Sequence, residues 1–265
     1  MQKTHLVIID PQNDFCSKDG SLYVPGADDD MNRLANFISK CGNKLHDIST
    51  TLDSHHKVDI AHSIMWRDAS GNRPNPFTII TKEDVISGKW SPTQPSFYKK
   101  VLNYVTELEK NNRYPLCIWP DHCLIGSWGN GVYAPLHEAL LSWEDRSFAM
   151  VNYVTKGSNY MTEHYSALKA DVPDPADPST QINTDFINTL MESDFIAIAG
   201  EAGSHCLANT VCDIADAAGD DFVSKMVLLQ DATSPVKGFE KLQDDFIAKM
   251  TARGMKLSTT TEFLQ

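Results

Sequence analysis

The sequence predicts an α/β fold, a parallel sheet with helices on both faces. Short apolar runs alternate with helix-composed segments from end to end, as parallel strands joined by helical crossovers do. Several of these runs stop at polar residues able to do chemistry, and ligand sites in such sheets lie at the carboxyl ends of strands. The length, 265 residues, suits one large α/β domain or two small ones and buries a sizeable core.

In chain order, "HLVIID" (His5 to Asp10) reads as a buried strand ending on a carboxylate. "DDDMNRLANFISKCGNKL" reads as a helix, with Asp28 to Asp30 at the end where the helix dipole favours negative charge. "DISTTLDSH" is a second strand, and "PLCIWPDHC" holds a short third strand stopped by Pro120. "PLHEALLSWED" is helical and "FAMVNYVTKG" is a fourth strand. "INTDFINTLMES" is a helix capped by Asn183 or Thr184. "DFIAIAG", a helix from Cys206, the strand "SKMVLLQDA" and the helix "GFEKLQDDFIAKMTARG" follow, the last ending on Gly254 as a C′ glycine. Residues 64–114 break the rhythm with Pro, Gly, Asn and Ser around a helix-like "FYKKVLNYVTELEK". They read as an insertion near the mouth of the site. "KADVPDPADPSTQ" reads as an exposed loop.

The formal net charge is −12, which argues against nucleic-acid binding, since phosphate is met by excess Lys and Arg. The N-terminus lacks the apolar core of a signal peptide, and no stretch reaches the roughly 20 apolar residues of a membrane span. The expected location is cytoplasmic, with no membrane partner. The six cysteines are then mostly reduced, and with no CxxC pair among them a zinc ribbon is not expected. A reactive thiol must be picked out by its surroundings.

Cys206 stands out because it follows a strand and opens a helix within "GEAGSHCLAN". Free helix N–H groups favour a thiolate there, and the small residues before it let the backbone approach a substrate. The bland reading is a structural cysteine. Asp10 is either a turn aspartate or the carboxylate that takes the thiol proton and returns it to a leaving amine. Lys156, before Gly157, is either a surface lysine or the cation beside both. Asp53 and His55, two apart in "LDSHH", project to one side of an extended segment and suit a shared metal. His122 would add a third ligand from the neighbouring strand, leaving room for substrate. His56 is assigned to solvent, His62 is a spare, and Cys123, pointing away from His122 on a strand, is assigned to the core.

Taken in order, "IIDPQNDF", "DSH", "WPDHC", "KG" and "GEAGSHC" resemble the motifs of the isochorismatase-like cysteine hydrolases, and among them the nicotinamidase-related amidases. The resemblance runs from His5 to about Ala232. It implies a single three-layer α/β/α domain over residues 1–265 with a mostly parallel six-stranded sheet. It also implies a catalytic triad of Cys206, Asp10 and Lys156, and a divalent metal, zinc first with iron or manganese as alternatives, on Asp53, His55 and His122. It further implies a cis peptide joining Glu201 to Ala202, oxyanion donors at the N–H groups of Ala202 and Cys206, and a pocket walled by Phe15, Trp119 and Tyr165. The implied partner is a small-molecule amide, and homo-oligomers occur among relatives.

Three features depart from the pattern: the length of the 64–114 insertion, "DSHHKVDIAH" in place of Asp-aromatic-His-Pro, and Glu201 where an aliphatic residue is usual. The leading expectation is an amidase forming a thioester on Cys206. The alternatives are a metal-centred hydrolase, in which Cys206 is structural, and a catalytically idle binding protein.

Overall fold

The computed structural model describes residues 2–111 and 114–264. Six strands form the central sheet: β1 (Thr4–Ile9), β2 (Asp47–Asp53), β3 (Asn152–Lys156), β4 (Phe195–Gly200), β5 (Met226–Leu229) and β6 (Lys256–Ser258). Their order is β6-β5-β4-β1-β2-β3, with every pairing parallel. The main helices are α1 (Ala27–Cys41), α2 (Tyr98–Asn111), α3 (Ala134–Ser147), α4 (Thr184–Met191), α5 (Cys206–Ala218) and α6 (Glu240–Ala252).

Alternation along the strands builds a core on each face. Leu6 and Ile8 of β1 join α1 and α3 in one apolar cluster. Val7 and Ile9, one residue out of phase, join α4, α5 and α6 in the other. This is the three-layer α/β/α sandwich. Local signals fix the helix ends. Asn183 accepts from the Phe186 N–H and caps α4. Gly254, at φ 109°, closes α6, with Met255 N–H bonding Met250 O and Gly254 N–H bonding Thr251 O, a Schellman ending.

One expected strand moved. Leu116–Cys117 does not enter the central sheet but pairs antiparallel with Ile79–Ile80 of the insertion. Bracketed by Pro115 and Pro120, it is too short to join a long ladder. The sixth place is taken by Lys256–Ser258, three largely exposed residues at the sheet edge with no apolar run to announce them. Asn112 and Arg113 of the insertion lie outside the described residues. The rest of it forms α2 and a pairing of Trp66–Arg67 with Ser91–Pro92. Phe77 packs edge-on against Trp119 at 5.8 Å, and Tyr114 hydroxyl donates to Ser204 O at 3.0 Å. Among the described residues, no helix is long and apolar enough to cross a membrane.

His5 on β1 is buried, with Nε2 2.8 Å from Ser49 Oγ. Burial lowers its pKa from 6.5 to about 4, so the unfolded chain takes up this proton before the folded one. Stability should fall as the pH drops from about 6.5 to about 4, by roughly 3 kcal/mol from this residue. His5→Gln should remove that share. The check is the urea midpoint of both proteins at pH 7.5 and 4.5; an equal loss in the two would refute it.

Candidate active site

The chain runs β1 to β3 in one direction across the sheet, then starts again beside β1 with β4 and runs the other way. The switch point lies between β1 and β4, where a crevice opens at the carboxyl ends. Ile9 pairs with Gly200 there and Asp53 with Lys156. The register thus brings Asp10, Asp53, Lys156 and Cys206 to one rim. Gly200, at φ 111°, has no room for a side chain, because a Cβ would lie 2.1 Å from Ile9 O. Gly157 is constrained likewise: its Cβ would lie 2.6 Å from Asp53 Oδ1.

All four groups are buried. Lys156 Nζ lies 2.9 Å from Asp10 Oδ2, 3.1 Å from Asp53 Oδ1 and 3.6 Å from Cys206 Sγ, and donates to His164 O at 3.0 Å. Asp10 accepts from Thr51 Oγ1 at 2.5 Å, and the same oxygen accepts from Asp10 N–H. Gln12 clamps the end of β2, donating to Asp53 O and accepting from Asp53 N–H.

Burial disfavours the Lys156 ammonium, yet the carboxylates of Asp10 and Asp53 outweigh it and hold its pKa well above the usual lysine value. Burial raises the pKa of Asp10, against the pull of Lys156. Burial also drives the Cys206 thiol well above its ordinary value, although Lys156 opposes this. Burial thus opposes the thiolate that the helix start favours, and Asp10 stands beside the sulfur to take its proton. Cys206 is the first residue of α5. Among the described residues the N–H groups of Ala202 and Cys206 have no carbonyl partner, and the Glu201–Ala202 peptide is cis.

Donor atoms of Asp53, His55 and His122 lie within 4.8 Å of one another. His55 Nδ1 is held by Asp59 Oδ2 at 3.0 Å, and its Nε2 faces Asp53 Oδ2 at 3.0 Å. His122 Nδ1 lies 2.9 Å from Pro120 O, leaving Nε2 toward Asp53 at 3.6 Å. Each imidazole is thus oriented by an outer acceptor with its second nitrogen turned inward, the arrangement of a metal ligand. One carboxylate and two imidazoles fit a divalent ion of the zinc, iron or manganese type.

His122 does not come from a sheet strand as expected. Residues 117–125 run beside the 55–62 segment, with His55 N–H bonding Cys123 O and Ile125 N–H bonding His55 O. Cys123 is in the core, but at φ 47° in a loop, so the alternation of a strand is not what buries it. His56 is exposed. His62 is buried, its ring 5.3 Å from that of His55, outside the converging set.

Phe15, Trp119 and Tyr165 line a cavity with His122, Ala202 and Cys206. Trp119 Nε1 donates to Tyr165 Oη at 3.0 Å, which fixes both rings. The cavity holds about 30 Å³ of water-accessible space, room for one or two waters. An open groove of about 540 Å³ runs past Thr4, Lys44 and Phe195, but Thr4 and Phe195 begin their strands, so it sits at the opposite end from the triad. Sequence reasoning missed four wall residues: Leu22, Glu163, His205 and Val236. Burial pushes Glu163 up to about 8. His205, next to Cys206, was within reach of the motif; Glu163 follows no strand end and gave no signal.

The six-stranded parallel sheet between two helical layers is the fold found in the isochorismatase-like hydrolases. No protein-family model matches the chain. It is similar to the nicotinamidase of Saccharomyces cerevisiae, 24% identical over 234 residues, 87% of this chain and 88% of the relative. The structure of that yeast enzyme superposes at a TM-score of 0.66 with 19% identity, over 96% of this chain and 98% of the other. The Acinetobacter baumannii nicotinamidase/pyrazinamidase gives 0.66 and 19%, over 98% of each chain. The Pyrococcus horikoshii pyrazinamidase in complex with zinc gives 0.58 and 18%, over 97% of this chain and 99% of the other.

Proposed function

We propose that the chain is a cysteine amidohydrolase that releases ammonia from nicotinamide or a related small amide. The observation that carries this is Lys156, set within 3.6 Å of both the Asp10 carboxylate and the Cys206 sulfur beside the Asp53, His55 and His122 donors. The likeness to nicotinamidases supports the substrate class.

Asp10 takes the proton from Cys206 Sγ as the sulfur attacks the amide carbon. The negative charge forming on the carbonyl oxygen is received by the N–H groups of Ala202 and Cys206. Asp10 then hands its proton to the amide nitrogen, the C–N bond breaks, and ammonia leaves. The acyl group stays on sulfur as a thioester. Asp10 next takes a proton from water, which attacks the thioester carbon. The sulfur leaves and is reprotonated by Asp10, freeing the carboxylic acid. Lys156 holds Asp10 in place and offsets the charge that moves between carboxylate and sulfur. A divalent ion held by Asp53, His55 and His122 would supply a Lewis acid that fixes a ring nitrogen or polar group of the substrate. Phe15, Trp119 and Tyr165 would face the substrate ring, and their side chains must shift to admit it.

The test is ammonia release from nicotinamide, pyrazinamide and aliphatic amides, with and without prior chelation and zinc return. Aromatic carboxamides should be hydrolysed fastest, and chelation should lower the rate reversibly. Equal inactivity toward every amide would overturn the reading.

A further inference from the structure

Glu201 is fully buried directly before Ala202. Ser234 links Glu201 to Asp30 of α1: the Ser234 N–H reaches Glu201 Oε2 and the Ser234 hydroxyl reaches Asp30 Oδ2. A buried carboxyl with no cation of its own is held more easily neutral than charged. Asp30 accepts from Arg33 Nη2 and from Ser234 Oγ, each at 2.5 Å. Glu201 Oε2 accepts from Ser234 N–H at 3.0 Å. Oε1 accepts from no donor among the described residues, which leaves it as the atom carrying the proton. Gly203 N–H bonds Ser234 O, and Glu201 N–H bonds Ile9 O. The network therefore joins α1, the segment after β5 and the turn that presents Ala202 and Cys206.

We propose that Glu201 is a positioning residue: through its hydrogen bond from Ser234, which also bonds Asp30, it fixes the oxyanion-binding turn to α1. The proposal rests on the amidase reading above for its kinetic consequence, though not for the network itself. Burial first, and then the Asp30 charge, push the Glu201 pKa well above the carboxylate range, which agrees with the proton placement. The other groups around it do not supply a competing proton. Burial and Glu201 itself raise Cys16 well above a usual thiol, Arg33 is engaged by Asp30 and Asp231 O, and Asp28, bonded by Tyr23 and Lys18, is held low. Ser234 contributes only its N–H and hydroxyl.

A raised acid pKa in the folded state means that stability is lost as pH rises from the ordinary glutamate range toward the folded value. Glu201→Gln keeps an acceptor for Ser234 with no proton to lose. Its melting temperature should match the wild type near pH 5 and exceed it increasingly toward pH 8. With the best amide at neutral pH, Glu201→Gln should keep kcat within about twofold. Glu201→Leu, which fills the space without the Ser234 bond, should lower kcat about tenfold with KM nearly unchanged. A Leu variant with wild-type kcat, or a Gln variant whose melting advantage does not grow with pH, overturns the proposal. A wild-type protein inactive on all amides would sink the amidase reading instead, and the melting series would still decide the network.

Discussion

Cys206→Ala should reduce ammonia release by about 10⁴-fold or more, to the level of the metal-bearing pocket alone. The argument is one of position. Among the described residues of the rim, Cys206 Sγ combines a nucleophile with a nearby cation, Lys156 Nζ at 3.6 Å, and with an Asp10 carboxylate oxygen within 4.8 Å. Because burial opposes the thiolate, the reactivity of the sulfur depends on Asp10, so Asp10→Asn should be nearly as inactive. The alanine variant should fold, since it deletes one buried atom and leaves a small cavity worth about 1 kcal/mol. Its melting curve and metal content should match the wild type within error. Retention of a few per cent of activity would transfer the chemistry to the Asp53, His55 and His122 cluster. In that case a chelated wild type, not the alanine variant, would be the dead protein.

Strand-end groups were the legible part of this site. Asp10, Asp53, Lys156 and Cys206 follow apolar runs, and in a parallel sheet the ends of such runs share a rim whatever the loops do. Three things were not legible. His122 reaches the metal donors by a loop that pairs with residues 55–62, a long-range contact with no periodic signal. Lys256–Ser258 joins the sheet through backbone pairing alone, with side chains largely in solvent. The burial that opposes a Cys206 thiolate depends on every layer packed above it, which no local stretch of sequence shows. Glu201 lies between these cases. Its departure from an aliphatic pattern was visible, but its partner Asp30 sits on α1, far away in the chain, and was read only as a favourable charge at a helix start.

Lys156→Met should cost both activity and stability, and the two losses separate by a second substitution. The ammonium bridges Asp10 and Asp53 at 2.9 and 3.1 Å in a site closed to solvent. Removing it leaves two facing carboxylates without their shared counter-charge, a loss of about 3–5 kcal/mol for a buried pair broken on one side. The deficit should be largest near neutral pH and shrink toward pH 5, as Asp10, already raised by burial, takes up a proton and cancels the repulsion. Adding Asp10→Asn removes one charge outright, so the double variant should recover most of the stability while staying inactive. A double-mutant cycle read by urea unfolding measures this coupling directly. Additive losses would mean that Lys156 and Asp10 do not share charge, and the proton path from sulfur to leaving nitrogen would lose its anchor.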